Sequence, residues 1–503
     1  MISIVRRLGR LYGMWLTMFA AVLALLVAPP PARSASPEPN ACQVLAEADK
    51  SLVSDAKQSR VAERDVCLLS GHTASDLAFT LQLPLADWNG RYAQLSCGDA
   101  CGVSPDSICD NVIRRNYACL VVGPSTQLPL PEDATHALAV AAKDLIARFY
   151  GKPAATQLFL GCGADGREGL LEAQRYPQDF NAILVGAPVI EAEPFARALR
   201  WRQDSVRGHA GRPALTKDDL QRLHRAAVAK CDAGDGLVDG LIGDPLRCAF
   251  DPRTVACGKT PDLQCLSSAA VDAAARLYAG PPNPGNLPSG NAGLLPGSEL
   301  QWAAFLDSKG DVARWTARKT AAPASRDASA VDLSAFAAAK GKLIIYQGLA
   351  DPLVSPLRTI RYYEVLAKSM GGIVKTQGTV RLFAVPGMDH CAGGEGAHRI
   401  NFLSVLENWA AGRSPDDVIA FKPLDAMPPE HPFAPEARDG AQTVVGGWML
   451  GGPVSLEQAR EQSASVLSRP VFLYPYRTQY KGRGDPKLWM NFFAPGDTAF
   501  LFN

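Results

Sequence analysis

Short apolar runs, separated by one long amphipathic run, dominate the pattern of hydrophobic and polar positions in the first 190 residues. Residues 134–150 place Ala, Leu and Ile on one face at helical spacing. Five shorter runs show the alternating or clustered apolar positions that are typical of strands: residues 78–84, 90–95, 117–122, 157–160 and 181–185. Strands interrupted by a helix of this kind predict an α/β sheet.

The pattern changes over residues 191–340, where Ala-rich and charged helical runs, Gly- and Pro-rich loops and four closely placed cysteines replace the strands. Strand-like runs resume at residues 342–346 and 380–385. We therefore predict a discontinuous core formed by residues 42–190 and 341–503. Residues 191–340, the lid, are predicted to be a domain inserted into that core.

Composition and charge indicate which classes of binding partner to expect. The chain has 503 residues, of which 47% are hydrophobic, so it can bury a large core and more than one folding unit. Its formal net charge is +1, which gives no broad electrostatic attraction to nucleic acid or to an anionic membrane. The expected partner is a small molecule.

The N-terminus has the layout of a secretory signal peptide. Arg6, Arg7 and Arg10 precede an apolar run at residues 14–28, and small residues and prolines follow. A membrane anchor is the alternative, but this run is shorter than the roughly 20 residues that a spanning helix needs. We expect residues 1–35 to be removed on export to the periplasm or the medium, which leaves no stable membrane anchor.

Twelve cysteines, an even number, favour disulfide bonds in an exported protein. Four of them lie close together, with intervals of three, seven and nine residues: Cys97, Cys101, Cys109 and Cys119. A zinc site is conceivable, but these intervals match no standard zinc finger, and export favours two disulfides instead. The sequence leaves their pairing open.

A sharp turn follows the apolar run at residues 157–160 and precedes a helix-like run. It reads Gly161-Cys162-Gly163-Ala164-Asp165-Gly166. A strand, a tight turn and a helix in this order form the nucleophile elbow of serine esterases. Gly163 stands at the tip, where the serine hydroxyl is expected, and the backbone N–H of Ala164 takes the oxyanion position.

The predicted acid and base lie on loops after later strands. Asp351 follows the run at residues 342–346, and His390 follows the run at residues 380–385. The order nucleophile, acid, base is that of α/β-hydrolases, in which His accepts the serine proton and Asp orients the ring. Glycine has no proton to give. Loss of a nucleophile lowers kcat on the order of 10⁶-fold.

The residues around the elbow carry a family resemblance. Gly161-Cys162, Gly166-Arg167-Glu168-Gly169-Leu170 and the later Glu172-Ala173-Gln174-Arg175-Tyr176-Pro177 resemble the tannase and feruloyl esterase family. The resemblance implies an α/β-hydrolase core with a large inserted lid domain, and hydrolysis of esters of hydroxylated aromatic acids. It also implies a disulfide between Cys162 and Cys391 that ties the base to the nucleophile.

Residues 231–241, the acidic loop, concentrate carboxylates and glycines in the lid. A solvated acidic turn is the simpler interpretation. The family resemblance instead implies a structural Ca²⁺, a cation that prefers oxygen ligands. The implied ligands are three side chains and two backbone carbonyls: Asp232, Asp235 and Asp239, with Leu237 and Leu241.

Further disulfides follow from the same resemblance. Two are expected in the lid, Cys231 with Cys248 and Cys257 with Cys265. Cys42 and Cys67 are expected to pair near the start of the mature chain.

The sequence also departs from the family pattern near the elbow. Asp165 replaces a glycine, and the first loop, residues 97–102, has Asp99 where the family has glycines that help to form the oxyanion hole. A negative charge there opposes a forming oxyanion. Two hypotheses follow. The protein is an ester hydrolase that acts weakly or by a substituted mechanism, such as direct activation of water by His390 and Asp351, or it is an inactive homologue that binds an aromatic ester, an aromatic acid or a partner protein.

Overall fold

The structure is a computed structural model, and it describes ten stretches of the chain: residues 41–73, 77–96, 108–122, 133–208, 213–258, 265–282, 293–306, 327–413, 418–424 and 466–496. The predicted signal peptide and the first loop, including Asp99, lie outside these residues. No helix within the ten stretches is long and apolar enough to cross a membrane.

A nine-stranded sheet organises the described residues, with the strand order β1-β2-β3-β5-β4-β6-β7-β8-β9. Strands β1 to β3 and β5 pair antiparallel, and every pairing from β5 through β4 to β9 is parallel. The strands are β1 Val53–Val61, β2 Arg64–His72, β3 Ala78–Pro84, β4 Arg91–Ser96, β5 Ala118–Val122, β6 Thr156–Cys162, β7 Ala182–Gly186, β8 Lys342–Gly348 and β9 Val380–Val385.

The central strands are apolar along almost their whole length because both faces of the sheet are covered. Along β7, Ile183 and Val185 enter one hydrophobic cluster, while Ala182 and Leu184 enter another. This alternation puts successive side chains on opposite faces, as strand geometry requires. The sheet therefore separates two cores, and the parallel strands end at one common edge.

Twelve helices are present in the described residues: α1 Ala41–Ala48, α2 Asp110–Arg114, α3 Ala134–Tyr150, α4 Ala164–Arg175, α5 Ala192–Val206, α6 Lys217–Cys231, α7 Ser268–Ala279, α8 Ala303–Leu306, α9 Ser334–Ala338, α10 Pro356–Ser369, α11 Ile373–Thr376 and α12 Phe402–Ala410. Helix α3 covers one face of the sheet through Leu138 and Leu145, and α12 covers the other through Phe402 and Leu406.

Short elements complete the described chain. Single 3₁₀ turns lie at Asp232–Asp235, Pro245–Arg247, Pro252–Val255, Glu299–Trp302 and Trp489–Asn491. Two small antiparallel sheets follow the main one in sequence, formed by β10 Arg399–Ile400, β11 Ile419–Pro423 and β12 Val466–Pro470, and by β13 Gln479–Tyr480 and β14 Phe492–Phe493.

The α/β sheet predicted from the apolar runs is confirmed. Residues 134–150 form α3 and residues 78–84 form β3, as the pattern predicts. The hairpin of β1 and β2 was not predicted, because β1 exposes most of its side chains and has no apolar run. In the lid, α5, α6 and α7 pack around a third hydrophobic cluster that includes Leu199, Leu223 and Leu277.

Five disulfides are present among the described cysteines. The four expected pairs are bonded: Cys42–Cys67, Cys162–Cys391, Cys231–Cys248 and Cys257–Cys265. Cys109 and Cys119, whose pairing the sequence left open, are bonded to each other. Cys97 and Cys101 lie outside the described residues. A zinc site that uses all four of these cysteines is therefore incompatible with the structure.

Candidate active site

Gly163 forms the turn between β6 and α4. Its φ of 64° and ψ of −120° lie in a region that side chains rarely adopt. Two backbone hydrogen bonds of 2.9 Å hold the turn, one from the Gly163 N–H to the Gly186 carbonyl and one from the Val189 N–H to the Gly163 carbonyl. The strained backbone of a nucleophile elbow is thus present although the nucleophile is absent.

Close packing behind the elbow depends on a second glycine. A Cβ on Gly166, in the first turn of α4, would lie only 2.8 Å from the Gly186 carbonyl oxygen. Helix α4 can therefore approach β7 closely only because this residue has no side chain. Ala164 is the first residue of α4, where a backbone N–H has no acceptor within the helix. That N–H suits the oxyanion position predicted for it.

Asp351 lies on the acid loop, residues 349–355, directly after β8, and is only 1% exposed. Its Oδ1 accepts hydrogen bonds from the N–H groups of Leu353 and Val354 at 2.8 and 3.0 Å. Its Oδ2 accepts one from the Gln347 amide at 3.1 Å and contacts His390 Nδ1 at 2.8 Å. The buried carboxylate is thereby satisfied on both oxygens, as burial of a charge requires.

His390 completes the predicted acid and base pair. Because its Nδ1 faces Asp351, its Nε2 is directed to the elbow, and a Cβ built on Gly163 would lie 3.1 Å from that nitrogen. The structure therefore brings the predicted nucleophile position, the acid and the base into one site. A serine side chain at residue 163 would contact the imidazole directly.

The charges near His390 favour its protonated form. Burial alone would lower the pKa of His390, but the charge and hydrogen bond of Asp351 outweigh this effect and raise the pKa. Burial and the negative charge of Asp351 raise the pKa of the neighbouring Asp389 to about 7. Asp389 also accepts a 2.6 Å hydrogen bond from the His390 backbone N–H.

A disulfide joins the elbow to the segment that carries His390. Cys162 precedes the elbow glycine and Cys391 follows the base, and their bond closes a loop of 229 residues. Because both sulfurs are bonded, neither is available as a thiolate nucleophile. Tyr346 donates a 3.2 Å hydrogen bond to the Cys391 carbonyl and fixes the base from the sheet side.

Asp165, the second departure from the family pattern, is tied to the end of β4. Its carboxylate accepts a 2.7 Å hydrogen bond from the hydroxyl of Ser96, the last residue of that strand. The side chain thus contacts the strand from which the first loop departs. The contacts of Ser96 and Gln347 were not predicted, because each depends on the approach of elements distant in sequence.

The acidic loop holds its three aspartates in buried positions, at 6%, 6% and 2% exposure for Asp232, Asp235 and Asp239. Each carboxylate accepts backbone N–H groups of the same loop: Asp239 and Gly240 donate to Asp232 at 3.1 and 2.9 Å, Leu237 to Asp235 at 3.0 Å and Leu241 to Asp239 at 3.2 Å.

The charge of the acidic loop is only partly balanced. Arg469 reaches it from β12 and contacts Asp239 at 2.6 Å. Burial raises the pKa of Asp232, and burial together with the charge of Asp239 raises that of Asp235 to about 7. The oxygens of these three carboxylates have the donor chemistry that a divalent, oxygen-preferring metal ion requires.

Comparisons with known proteins point to one family. The chain matches the family model "Tannase and feruloyl esterase" over residues 132–326 and 306–494. It is 27% identical to mono(2-hydroxyethyl) terephthalate hydrolase of Piscinibacter sakaiensis, over 90% of this chain and 89% of that protein. A probable feruloyl esterase of Arthroderma benhamiae is 29% identical over 67% of this chain and 74% of its own length. Among solved structures, feruloyl esterase B from Aspergillus oryzae superposes with a TM-score of 0.69 at 19% identity, covering 90% of this chain and all of that one.

Proposed function

This chain belongs to the tannase and feruloyl esterase family, and we propose that it binds esters of hydroxylated aromatic acids and lacks the acyl-enzyme route. One observation carries the proposal. A backbone shaped for a nucleophile faces His390 Nε2, and the residue at its tip is Gly163. The site keeps an acid and a base beside the turn and has no atom at the tip to accept an acyl group.

Two neighbouring side chains are poor substitutes for the missing serine. Cys162 is bonded to Cys391, so it offers no thiolate. Asp165 is hydrogen-bonded to Ser96 at the end of β4 and belongs to the helix rather than to the tip of the turn. A covalent intermediate at the elbow therefore has no evident acceptor.

The proposed ligand class draws support from the relatives. The name of one is mono(2-hydroxyethyl) terephthalate hydrolase, and several others are named probable feruloyl esterases. These names share an ester of an aromatic acid. The fold and family are common to this chain and to them, so we assign the same class of small aromatic ester or acid to this protein as a ligand.

Covalent labelling and turnover test the proposal together. We expect no adduct with a serine-directed phosphonate in intact-protein mass spectrometry, and no hydrolysis of methyl ferulate or methyl gallate above the rate in buffer. Calorimetric titration with methyl ferulate should still report binding. Turnover at the rate of ordinary family members would contradict the loss of the acyl-enzyme route, and absence of binding to all such esters and acids would contradict the ligand class.

Direct activation of water is the second candidate function, favoured by the intact pair of Asp351 and His390. His390 Nε2 would take a proton from water while the oxygen attacks the ester carbonyl, and the leaving alkoxide would regain that proton. The products are the acid and the alcohol. This activity would be slow, insensitive to the phosphonate and abolished by His390→Gln, whereas trace activity that survives His390→Gln would exclude it.

We also propose that the acidic loop binds a structural Ca²⁺, with the side chains of Asp232, Asp235 and Asp239 and the carbonyls of Leu237 and Leu241 as ligands. Three buried carboxylates in one loop support this assignment. A bound ion, together with Arg469, would balance their charge and stabilise the folded lid.

Chelation tests the calcium proposal. Removal of divalent ions should lower the melting temperature, and added Ca²⁺ should restore it, because an ion that binds only the native state stabilises that state. Asp232→Asn should abolish the response. Asp251→Asn, at an exposed lid carboxylate paired with Arg253, is the matched control and should retain it. A melting temperature unaffected by chelation, with no metal in the purified protein, would contradict the proposal.

Export to the periplasm or the medium remains our proposal for localisation. Five disulfides in the described residues support an oxidising compartment.

A further inference from the structure

We propose that Arg202, a residue of the lid, is a positioning residue that holds the acid loop and thereby keeps Asp351 and His390 in contact. This proposal rests on the proposed function only because both concern the same site. It requires no turnover, so it can be tested whether or not the protein hydrolyses esters.

Arg202 lies on helix α5 and is only 1% exposed. Its Nη1 donates hydrogen bonds to the carbonyl oxygens of Pro352 and Leu353 at 2.9 and 2.7 Å. These two residues follow Asp351 directly in the acid loop. A buried cation of the lid is therefore fixed on the segment that carries the predicted catalytic acid.

The same two peptide groups also bind Asp351 from their other side. The Pro352 carbonyl shares a peptide unit with the Leu353 N–H, and the Leu353 carbonyl shares one with the Val354 N–H. Both N–H groups donate to Asp351 Oδ1, at 2.8 and 3.0 Å. Arg202 and Asp351 thus bracket two consecutive peptide units, with the cation at the oxygen end and the carboxylate at the hydrogen end.

This arrangement aligns charges and dipoles in one direction. A cation at a carbonyl oxygen polarises the peptide unit and strengthens the hydrogen bond that its N–H donates. The carboxylate so held presents Oδ2 to His390 Nδ1 at 2.8 Å. Arg202 therefore acts on the imidazole through the acid loop.

Burial of Arg202 is costly, which argues that the contact is specific. Burial lowers its pKa to about 10, and the negative charge of Asp351 opposes the shift. The guanidinium remains charged at neutral pH. Uncharged residues pack a helix against a loop at lower cost, so a buried cation with two carbonyl partners points to a role for its charge.

Titration of His390 separates positioning from a simple charge effect. The charged groups that face the imidazole are Asp351 from the acid loop and Asp389 from its own loop, with Arg202 behind the acid loop. If Arg202 acted only as a nearby positive charge, its removal would raise the pKa of His390. If it positions Asp351, its removal displaces the carboxylate that raises this pKa, and the pKa falls.

The experiment is NMR titration of ¹⁵N-histidine-labelled full-length protein, with His390→Gln to assign the resonance. In Arg202→Met we expect a lower pKa for His390 and loss of the deshielded Nδ1 proton signal that a short bond to Asp351 gives. Arg202→Lys, which keeps a charged donor, should recover part of both. Arg197→Met, on the same helix but in a more exposed pair with Glu193, is the matched control and should change neither.

Two results would overturn the inference. One is an unchanged or raised pKa of His390 in Arg202→Met with the Nδ1 proton signal retained. The other is an identical response in Arg197→Met, which would indicate a general effect of charge on the helix. If Arg202→Met does not fold, Arg202→Gln keeps an amide donor without the charge and should give the same direction of pKa change.

Discussion

Asp351 and His390 retain the contacts of an acid and base pair, whereas the elbow retains its backbone and has no reacting side chain. Asp351 accepts hydrogen bonds on both oxygens, and His390 directs Nε2 toward the elbow. Gly163 has the dihedral angles of a strained turn. The acid and base half of the site, Asp351 and His390, therefore keeps its reacting groups. The nucleophile half, which is the elbow, keeps only its backbone conformation.

The difference shows that the shape of the elbow does not depend on its nucleophile. Hydrogen bonds of the Gly163 backbone to Gly186 and Val189, and the close approach of Gly166 to Gly186, hold the turn without help from a side chain. Glycine also reduces the backbone strain at a positive φ. The nucleophile half is thus a stable backbone feature in which the reacting group is dispensable for folding.

The acid and base half requires more compensating contacts than the elbow does. A buried carboxylate requires compensating donors, and Asp351 has backbone N–H groups, Gln347 and His390 around it. Gln347 is itself fixed by the hydroxyl of Thr359 at 2.7 Å. The fold supplies all these contacts although residue 163 is glycine. We therefore expect the pair of Asp351 and His390 to act in ligand binding or in activation of water. Mutations in either half, or in the bond that joins them, can test this contrast.

Removal of the bond between the two halves should give the largest effect. We expect the double variant Cys162→Ser with Cys391→Ser to lose about 2–5 kcal/mol of unfolding free energy, since loss of a native disulfide typically costs this much and more for longer loops. The loop closed by this bond spans 229 residues. Urea denaturation of both proteins measures the difference.

The matched control is Cys109→Ser with Cys119→Ser, which opens a loop of only 10 residues on the same face of the sheet. Its loss should be smaller, and His390 should keep its contact with Asp351 in NMR spectra. Equal losses in the two double variants would show that the bond between the halves has no special importance for stability.

The sequence predicts the strands and loops that form the site well, because each is visible as a pattern of neighbouring residues. The apolar runs that form β6, β8 and β9 are visible as patterns, and the loops after them carry Gly163, Asp351 and His390 in the order that the fold requires. Their convergence follows from parallel strands that end at one edge of a sheet.

Contacts between distant segments could not be predicted in the same way. The bond of Cys162 to Cys391 was implied only by family resemblance, because no local pattern links residues so far apart. The positions of Ser96, Gln347 and Arg202 depend on how the first strands and the lid pack against the loops. The strand β1 was missed because its side chains are mostly exposed.

Restoration of a side chain at the elbow should give a smaller effect on stability. We expect Gly163→Ser to cost about 1–3 kcal/mol, the range for a residue other than glycine held in a sparsely populated backbone region. The new Cβ would lie 3.1 Å from His390 Nε2, so the imidazole must also move slightly. Denaturation measures this cost, and Gly163→Ala is the matched control with the same backbone and no hydroxyl.

Activity of the same two variants tests whether the nucleophile half lacks only an atom. Gly163→Ser supplies a hydroxyl next to His390, but it leaves Asp99. The family resemblance predicts that Asp99 lies in the loop of the oxyanion hole, where a negative charge would oppose a forming oxyanion. We therefore expect little hydrolysis of methyl ferulate and weak phosphonate labelling from Gly163→Ser, and none from Gly163→Ala. Strong recovery in Gly163→Ser would mean that the first loop still stabilises an oxyanion, and that a single side chain separates this site from a working esterase.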